Sequence, residues 1–180
     1  MKLPSFTNIP IVKIGSGEYF VGHSGKVIKT LLGSCASVCL YDAKTQVVGM
    51  NHFLLATDQL KRSHILDSRA GYYGLHAMEL VINKMMRLGA NRHRITAKVF
   101  GGSNVVPQLS THGGDFGTVG EQNVSFAYEF LKRERIAIVS QDVGGDHGRI
   151  IYFDSTDYSV YVSLIIQQQE IQLKKKENFY

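Results

Sequence analysis

Residues 30–56 read TLLGSCASVCLYDAKTQVVGMNHFLLA. Two apolar runs, ASVCLYD and VVGMNHFLLA, flank the short polar stretch AKTQ. Runs of that length joined by a short polar turn predict an antiparallel β-hairpin. With the turn centred on residues 43–46, Cys35 falls opposite or beside His52. Directly facing residues of an antiparallel pair point to one side, with Cβ atoms about 4.5–5.5 Å apart. A register slipped by one residue would instead put the thiol and the imidazole on opposite faces.

A cysteine beside a histidine can share a proton to give thiolate and imidazolium, which lowers the thiol pKa and produces a nucleophile at neutral pH. The imidazolium can then protonate a departing amine or ammonia. Gly33 and Ser34 precede Cys35 at the edge between loop and strand. Glycine there lets a substrate approach the backbone closely, and exposed N–H groups can stabilise an oxyanion. A third group should hold the imidazole in one tautomer; Thr30, at the end of the preceding strand, is the candidate. The competing reading is structural: a cysteine in an apolar segment is more often packing than nucleophile, and a strand histidine is usually only hydrogen-bonded. Cys39, between Val38 and Leu40, takes the structural reading outright.

Outward from the hairpin, a short strand is expected at residues 25–31. The stripe Leu75, Met78, Ile82 and Met85, continued by Leu88 and stopped at Gly89, predicts a helix over 70–89. RITAKVFGG is a strand ending in a double glycine, and EQNVSFAYEFLKRE a second amphipathic helix with Val124, Ala127 and Leu131 inward. IAIVSQD, RIIYFD and SVYVSLII are further strands, with VGGDHG as a turn between the first two. FGG and DVGG, each ending a strand, are candidates for lining one cleft. Residues 58–69 and 107–117 read as loops. The sum is six to eight strands and two helices, mixed in order. That predicts an α+β fold with helices covering sheet.

The 180 residues suit one domain, here 1–166, followed by a basic tail, 167–180, that contains QLKKKENFY. Apolar residues make up 44% and charged residues 19%, which is ordinary for a soluble globular protein. No apolar run approaches the ~20 residues of a membrane span, and no signal peptide is read at the start of the chain. The two cysteines, spaced C-x-x-x-C, match neither redox nor zinc patterns, and a reducing cytoplasm is the expected setting. The remaining histidines show no ligand spacing, so no metal is expected, and no glycine-rich fingerprint calls for a cofactor. The net charge of +5 raises nucleic acid as a partner. The scattered cations and the absence of aromatic-basic interleaving argue against it.

The combination of TLLGSCASVCLYD, VGMNHFLLA, AMELVINKMMRLGANRHRITAKVFGGSN and VGEQNVSFAYEFLKRERIAIVSQDVGGDHGRIIYF closely resembles the CheD family of chemoreceptor glutamine deamidases. The likeness runs from about Gly15 to about Val162. It implies conversion of glutamine side chains of methyl-accepting chemotaxis receptors to glutamate, with release of ammonia. It also implies a layered α/β sandwich with mixed sheets, similar to the deamidating toxins related to cytotoxic necrotising factor. Some members hydrolyse receptor methyl esters, and many bind the phosphatase CheC. By motif, Cys35 takes the place of the nucleophile, His52 of the base and Thr30 of the orienting residue, with Gly33 and Ser34 at the oxyanion and substrate cleft. Two rival functions share these residues: a non-catalytic CheC-type phosphatase-binding regulator, and a cysteine peptidase or transglutaminase.

Overall fold

A computed structural model describes residues 6–55, 69–105 and 117–166. The two expected loops fall almost wholly outside these residues, as does the basic tail. In chain order the strands are β1 (Ile11–Lys13), β2 (Tyr19–His23), β3 (Val27–Leu32), β4 (Ala36–Asp42), β5 (Val47–Asn51), β6 (Thr96–Gly101), β7 (Ala137–Val143), β8 (Arg149–Asp154) and β9 (Val160–Leu164). Helix α1 (Arg69–Arg87) lies between β5 and β6, and α2 (Val119–Arg133) between β6 and β7.

The strands form two mixed sheets. One has the order β1-β3-β8-β9 and the other β2-β5-β4-β6-β7. The β1–β3 and β6–β7 pairs are parallel and the rest antiparallel. The expected hairpin is β4–β5, closed by a turn in which Asp42 Oδ1 accepts from the Lys44 N–H and Gln46 takes a positive φ of 55°.

β4 is buried along nearly its whole length because both its faces are covered. Ala36, Val38 and Leu40 join Met78, Ile82 and Met85 of α1 and Phe126, Ala127 and Phe130 of α2 in one core. Cys39, with Val48 and Met50 of β5, packs on the other face against Ile28, Leu32, Ile151 and Phe153 of the second sheet. The layers are therefore helices, five-stranded sheet and four-stranded sheet. This is the expected α+β class, with one refinement: helices cover only one face of the central sheet, and a second sheet covers the other. A strand buried on both faces reads as a continuous apolar run, which is how ASVCL reads.

The helices match their sequence signals. Met78, Ile82 and Met85 are fully buried, whereas Leu88 is exposed. Gly89, at φ 99°, adopts the left-handed conformation that ends α1. Thr118 and Glu121 form a reciprocal capping box at the start of α2. Strands β1 and β2 carry no such signal. β1 has three residues, and β2 contains Gly22 and alternates poorly.

α1 approaches β5 over Gly49, where an added Cβ would lie 2.6 Å from Val81 Cγ1 and 2.8 Å from Met85 Sδ. Gly49→Ala should therefore lower the unfolding free energy by about 1–3 kcal/mol through overpacking, read as a reduced midpoint in urea. An unchanged midpoint would show that α1 does not sit as closely on the sheet as described.

Candidate active site

The register of the hairpin decides which side chains meet. Cys39 pairs with Met50, and Ala36 forms a bridge with Phe53 through both backbone hydrogen bonds. Ala36 and Phe53 both point into the helix-side core. Their neighbours, Cys35 on one strand and His52 on the other, therefore point to the opposite side, toward the four-stranded sheet. Cys35 packs at the margin of the inter-sheet core, and His52 reaches Thr30 of β3 across the same interface. The two lie on one face, diagonally across the Ala36–Phe53 bridge rather than directly opposed. Diagonal positions are about 7–8 Å apart, within reach of long or aromatic side chains.

His52 is delivered by an opening in the ladder. At Asn51 the side chain replaces the backbone: Asn51 Oδ1 accepts from the Val38 N–H at 3.0 Å, while the Asn51 carbonyl accepts from the Ser37 hydroxyl at 2.5 Å. On its other side the His52 backbone pairs with the turn at residues 15–18. Its N–H donates to Glu18 O at 2.9 Å, and its carbonyl accepts from Gly17 N–H at 2.8 Å.

The imidazole is held in one tautomer. The Thr30 hydroxyl donates to Ile14 O at 2.7 Å. A hydroxyl has one proton, so toward His52, 2.8 Å away, Thr30 Oγ1 can only accept. Nδ1 therefore carries the hydrogen, and Nε2 is left with a free lone pair. Nε2 is buried and has no hydrogen-bond partner among the described residues. A buried acceptor in that state is costly unless something arrives to use it.

The electrostatics differ from the expected ion pair. Burial pushes the Cys35 thiol above its ordinary value, although hydrogen bonds from the Ser16 hydroxyl and from its own backbone N–H pull it back in part. Burial likewise pushes His52 below its ordinary value, with the Glu18 carboxylate opposing. Both directions favour neutral thiol and neutral imidazole at pH 7, rather than thiolate and imidazolium. Desolvation disfavours charge on either group.

Gly33, Ser34 and Cys35 are fixed by their carbonyls. Gly33 O accepts from Ser103 N–H and Cys35 O from Gly102 N–H, both at 2.8 Å. Ser34 O accepts from Asn123 Nδ2 of α2, also at 2.8 Å. Asn123 is fully buried and its Oδ1 accepts in turn from Leu55 N–H at 2.8 Å. With the carbonyls turned inward, the N–H groups of Ser34 and Cys35 donate to no described backbone carbonyl.

The two glycine loops do meet, as their sequences suggested. Gly144 N–H donates to Gly101 O at 2.9 Å and Asn104 N–H to Gly145 O at 2.7 Å. Buried Arg149 clamps them, donating to Ser103 Oγ at 2.9 Å and to the Gly144 and Asp142 carbonyls. Gly101 and Gly102 have φ of 103° and 67°, and a Cβ on Gly101 would lie 2.3 Å from Cys35 O. The site therefore includes four residues to which the sequence reading assigned no role: Ser16, Glu18, Asn123 and Arg149. For Asn123 a signal existed, an amide within the buried stripe of an amphipathic helix. Cys39 is fully buried core, as read. No group of residues able to hold a metal occurs among the described residues.

The family model CheD, described as CheD chemotactic sensory transduction, matches residues 54–164. A relative from Shewanella oneidensis, named "Probable chemoreceptor glutamine deamidase CheD 2", is 54% identical over 170 residues, covering 94% of this chain and 84% of its own. "Probable chemoreceptor glutamine deamidase CheD 1" of Geobacter sulfurreducens is 45% identical over 168 residues, covering 93% of this chain and 83% of its own. Among solved structures, a DUF152 protein of Neisseria meningitidis aligns with a TM-score of 0.45 at 13% identity, over 76% of this chain and 63% of that one. On the family match and these identities, the chain belongs to the CheD family.

Proposed function

We propose that the chain is a protein-glutamine deamidase. It converts glutamine side chains of chemotaxis receptors to glutamate, with Cys35 as nucleophile, His52 as base and Thr30 as the residue that orients it. One observation carries the reading: an imidazole locked with Nδ1 protonated and Nε2 bare, on the face of the sheet that also carries a half-buried thiol. The names of the relatives, which are chemoreceptor glutamine deamidases, supply the substrate class.

The chemistry follows from the neutral pair. As a substrate carboxamide enters, His52 Nε2 takes the thiol proton while sulfur attacks the carboxamide carbon. Charge moves to the carboxamide oxygen, which the Ser34 N–H receives, joined by the Cys35 N–H as it leaves the sulfur. The imidazolium now formed is supported at Nδ1 by Thr30 and Ile14 O, and by the nearby Glu18 carboxylate. It returns its proton to the departing nitrogen as ammonia leaves. Nε2 then activates water, which hydrolyses the thioester to glutamate and restores the thiol. Nothing in this cycle needs a metal or a cofactor.

Three further readings belong with this one. The substrate is the cytoplasmic, helical part of a receptor, which places the enzyme in the cytoplasm; no described helix is long and apolar enough to cross a membrane. The phosphatase CheC is a second partner, by family resemblance. The cysteine at the entrance to a central strand and the histidine on the neighbouring strand are the arrangement we equate with the Cys-His site of the deamidating toxins.

Cys35→Ala should abolish ammonia release from a receptor fragment while circular dichroism and the urea midpoint stay near wild type. Undiminished release by that variant would remove the nucleophile from the scheme, and a receptor fragment untouched by the wild type would leave the regulator reading. Thr30→Val keeps shape but removes the acceptor for Nδ1. It should cost about tenfold or more in kcat, within the roughly 10²–10⁴ that acid–base catalysis contributes. A wild-type kcat in Thr30→Val would show that the tautomer is set elsewhere.

A further inference from the structure

The turn at residues 15–18, together with the residue before it, touches all three members of the site. Ile14 supplies the carbonyl that takes the Thr30 proton. Gly17 N–H donates to His52 O at 2.8 Å and His52 N–H to Glu18 O at 2.9 Å, so two hydrogen bonds tie the turn to the main chain of the base. The Ser16 hydroxyl donates to the Cys35 sulfur. The turn is also closed on itself twice: Glu18 N–H donates to Gly15 O at 3.0 Å, and Gly15 N–H donates to the Glu18 carboxylate at 2.7 Å. Gly15, Ser16, Gly17 and Glu18 are nevertheless all exposed. A Cβ added to Gly17 would meet nothing within 4 Å. This turn between β1 and β2 is therefore a rim of the site, with one edge against sulfur and imidazole and the other in solvent.

Glu18 gives that rim a charge. Its carboxylate is held by the Gly15 N–H and acts on the imidazole, opposing the effect of burial. Among the described residues no other charge shifts His52, and none shifts Cys35. On the deamidase reading the reacting side chain lies between these two groups, because sulfur attacks its carbon and Nε2 serves its nitrogen. A group bound there is within the field of Glu18. Glutamine is neutral, whereas glutamate, with an ordinary pKa of about 4.3, is an anion at pH 7.

We propose that Glu18 is a specificity-determining residue: its carboxylate admits the neutral carboxamide and drives out the carboxylate that the reaction forms. This rests on the deamidase reading above and adds to it a means of telling substrate from product. The two side chains have nearly the same shape, so contacts alone separate them poorly, and a repulsive element supplies the difference. Hydrolysis of the thioester gives the acid, its proton is lost to solvent, and the new anion then faces Glu18. Receptor sites already converted are poor ligands for the same reason, so converted receptor does not hold the enzyme away from unconverted receptor. Like charges a few ångströms apart near a surface change a binding constant by about three- to tenfold. Because Glu18 is exposed, salt screens the effect.

The test measures binding without turnover, on the full chain. A cytoplasmic receptor fragment is prepared in its glutamine form and, by treatment with wild-type enzyme, in its glutamate form. Each form is titrated at pH 7 against Cys35→Ala and against the double variant Cys35→Ala, Glu18→Gln. Glutamine at position 18 keeps an acceptor for the Gly15 N–H and removes only the charge. Adding Glu18→Gln should tighten binding of the glutamate form about three- to tenfold and change the glutamine form by less than about twofold. The difference should shrink toward nothing at about 1 M salt. Glu18→Asp in the same background keeps the charge and should behave as Cys35→Ala alone. Three results would overturn the proposal and leave the deamidase reading intact: no tightening of the glutamate form, equal tightening of both forms, or a Glu18→Asp variant that behaves like Glu18→Gln. A receptor fragment that the wild type does not convert would overturn the deamidase reading, and the proposal with it.

Discussion

The hydroxyl of Thr30 has one proton to give, and it gives it to Ile14 O. Everything at the site depends on that assignment. Because the proton is spent there, Thr30 accepts from His52, Nδ1 holds its hydrogen, and the buried Nε2 keeps a lone pair with no partner among the described residues. The bond is also an inter-sheet contact: Thr30 belongs to the four-stranded sheet and His52 follows a strand of the five-stranded one. The imidazole is thus held by a contact between two sheets that pack over the core of Ile28, Cys39, Met50, Phe100 and Ile151.

The same packing explains the charge state. A pair sunk into the edge of an apolar interface is pushed toward neutrality from both sides. On the proposed mechanism, the nucleophile is made as His52 takes the thiol proton rather than standing as a preformed thiolate. Around it, the loop from Gly33 to Cys35 is held by three carbonyl hydrogen bonds, from Ser103, Asn123 and Gly102. Holding by carbonyls leaves the Ser34 and Cys35 N–H groups without a described backbone carbonyl to donate to, which is what the proposed oxyanion site requires. Arg149 stabilises that loop at one remove, by tying the glycine turn that supplies two of the donors, Gly102 and Ser103, to the turn at Gly144.

Much of this was legible in the residues. The polar turn at 43–46 and its flanking apolar runs specify the hairpin, and the hairpin puts Cys35 and His52 near each other, on one face only in the right register. The stripe Met78, Ile82, Met85 and the Val124, Ala127, Leu131 pattern specify two helices with inward faces. Other features depended on contacts distant in the chain. β1 and β2 are short and gain their order from pairing with β3 and β5, so no local period announces them. The turn at 15–18 reads as an ordinary glycine loop, yet it brings Ser16 to the thiol and Glu18 to the imidazole. The diagonal placement of Cys35 and His52 depends on the Ala36–Phe53 bridge, two residues beyond where β5 ends. Spacing shows which groups are adjacent, whereas burial, which pushes the thiol up and the imidazole down, bears on whether adjacency yields an ion pair.

The most direct measurement is the pH dependence of single-turnover ammonia release from a receptor fragment, for wild type and for His52→Ala. A neutral pair with His52 as base predicts a wild-type rate that climbs through an apparent pKa below 6.5 and is then flat through neutral pH. The variant should be far slower and should rise only with ionisation of the thiol, above 9.0. Two superimposable profiles, both following thiol ionisation, would contradict the account, because the imidazole would then take no part in making the nucleophile.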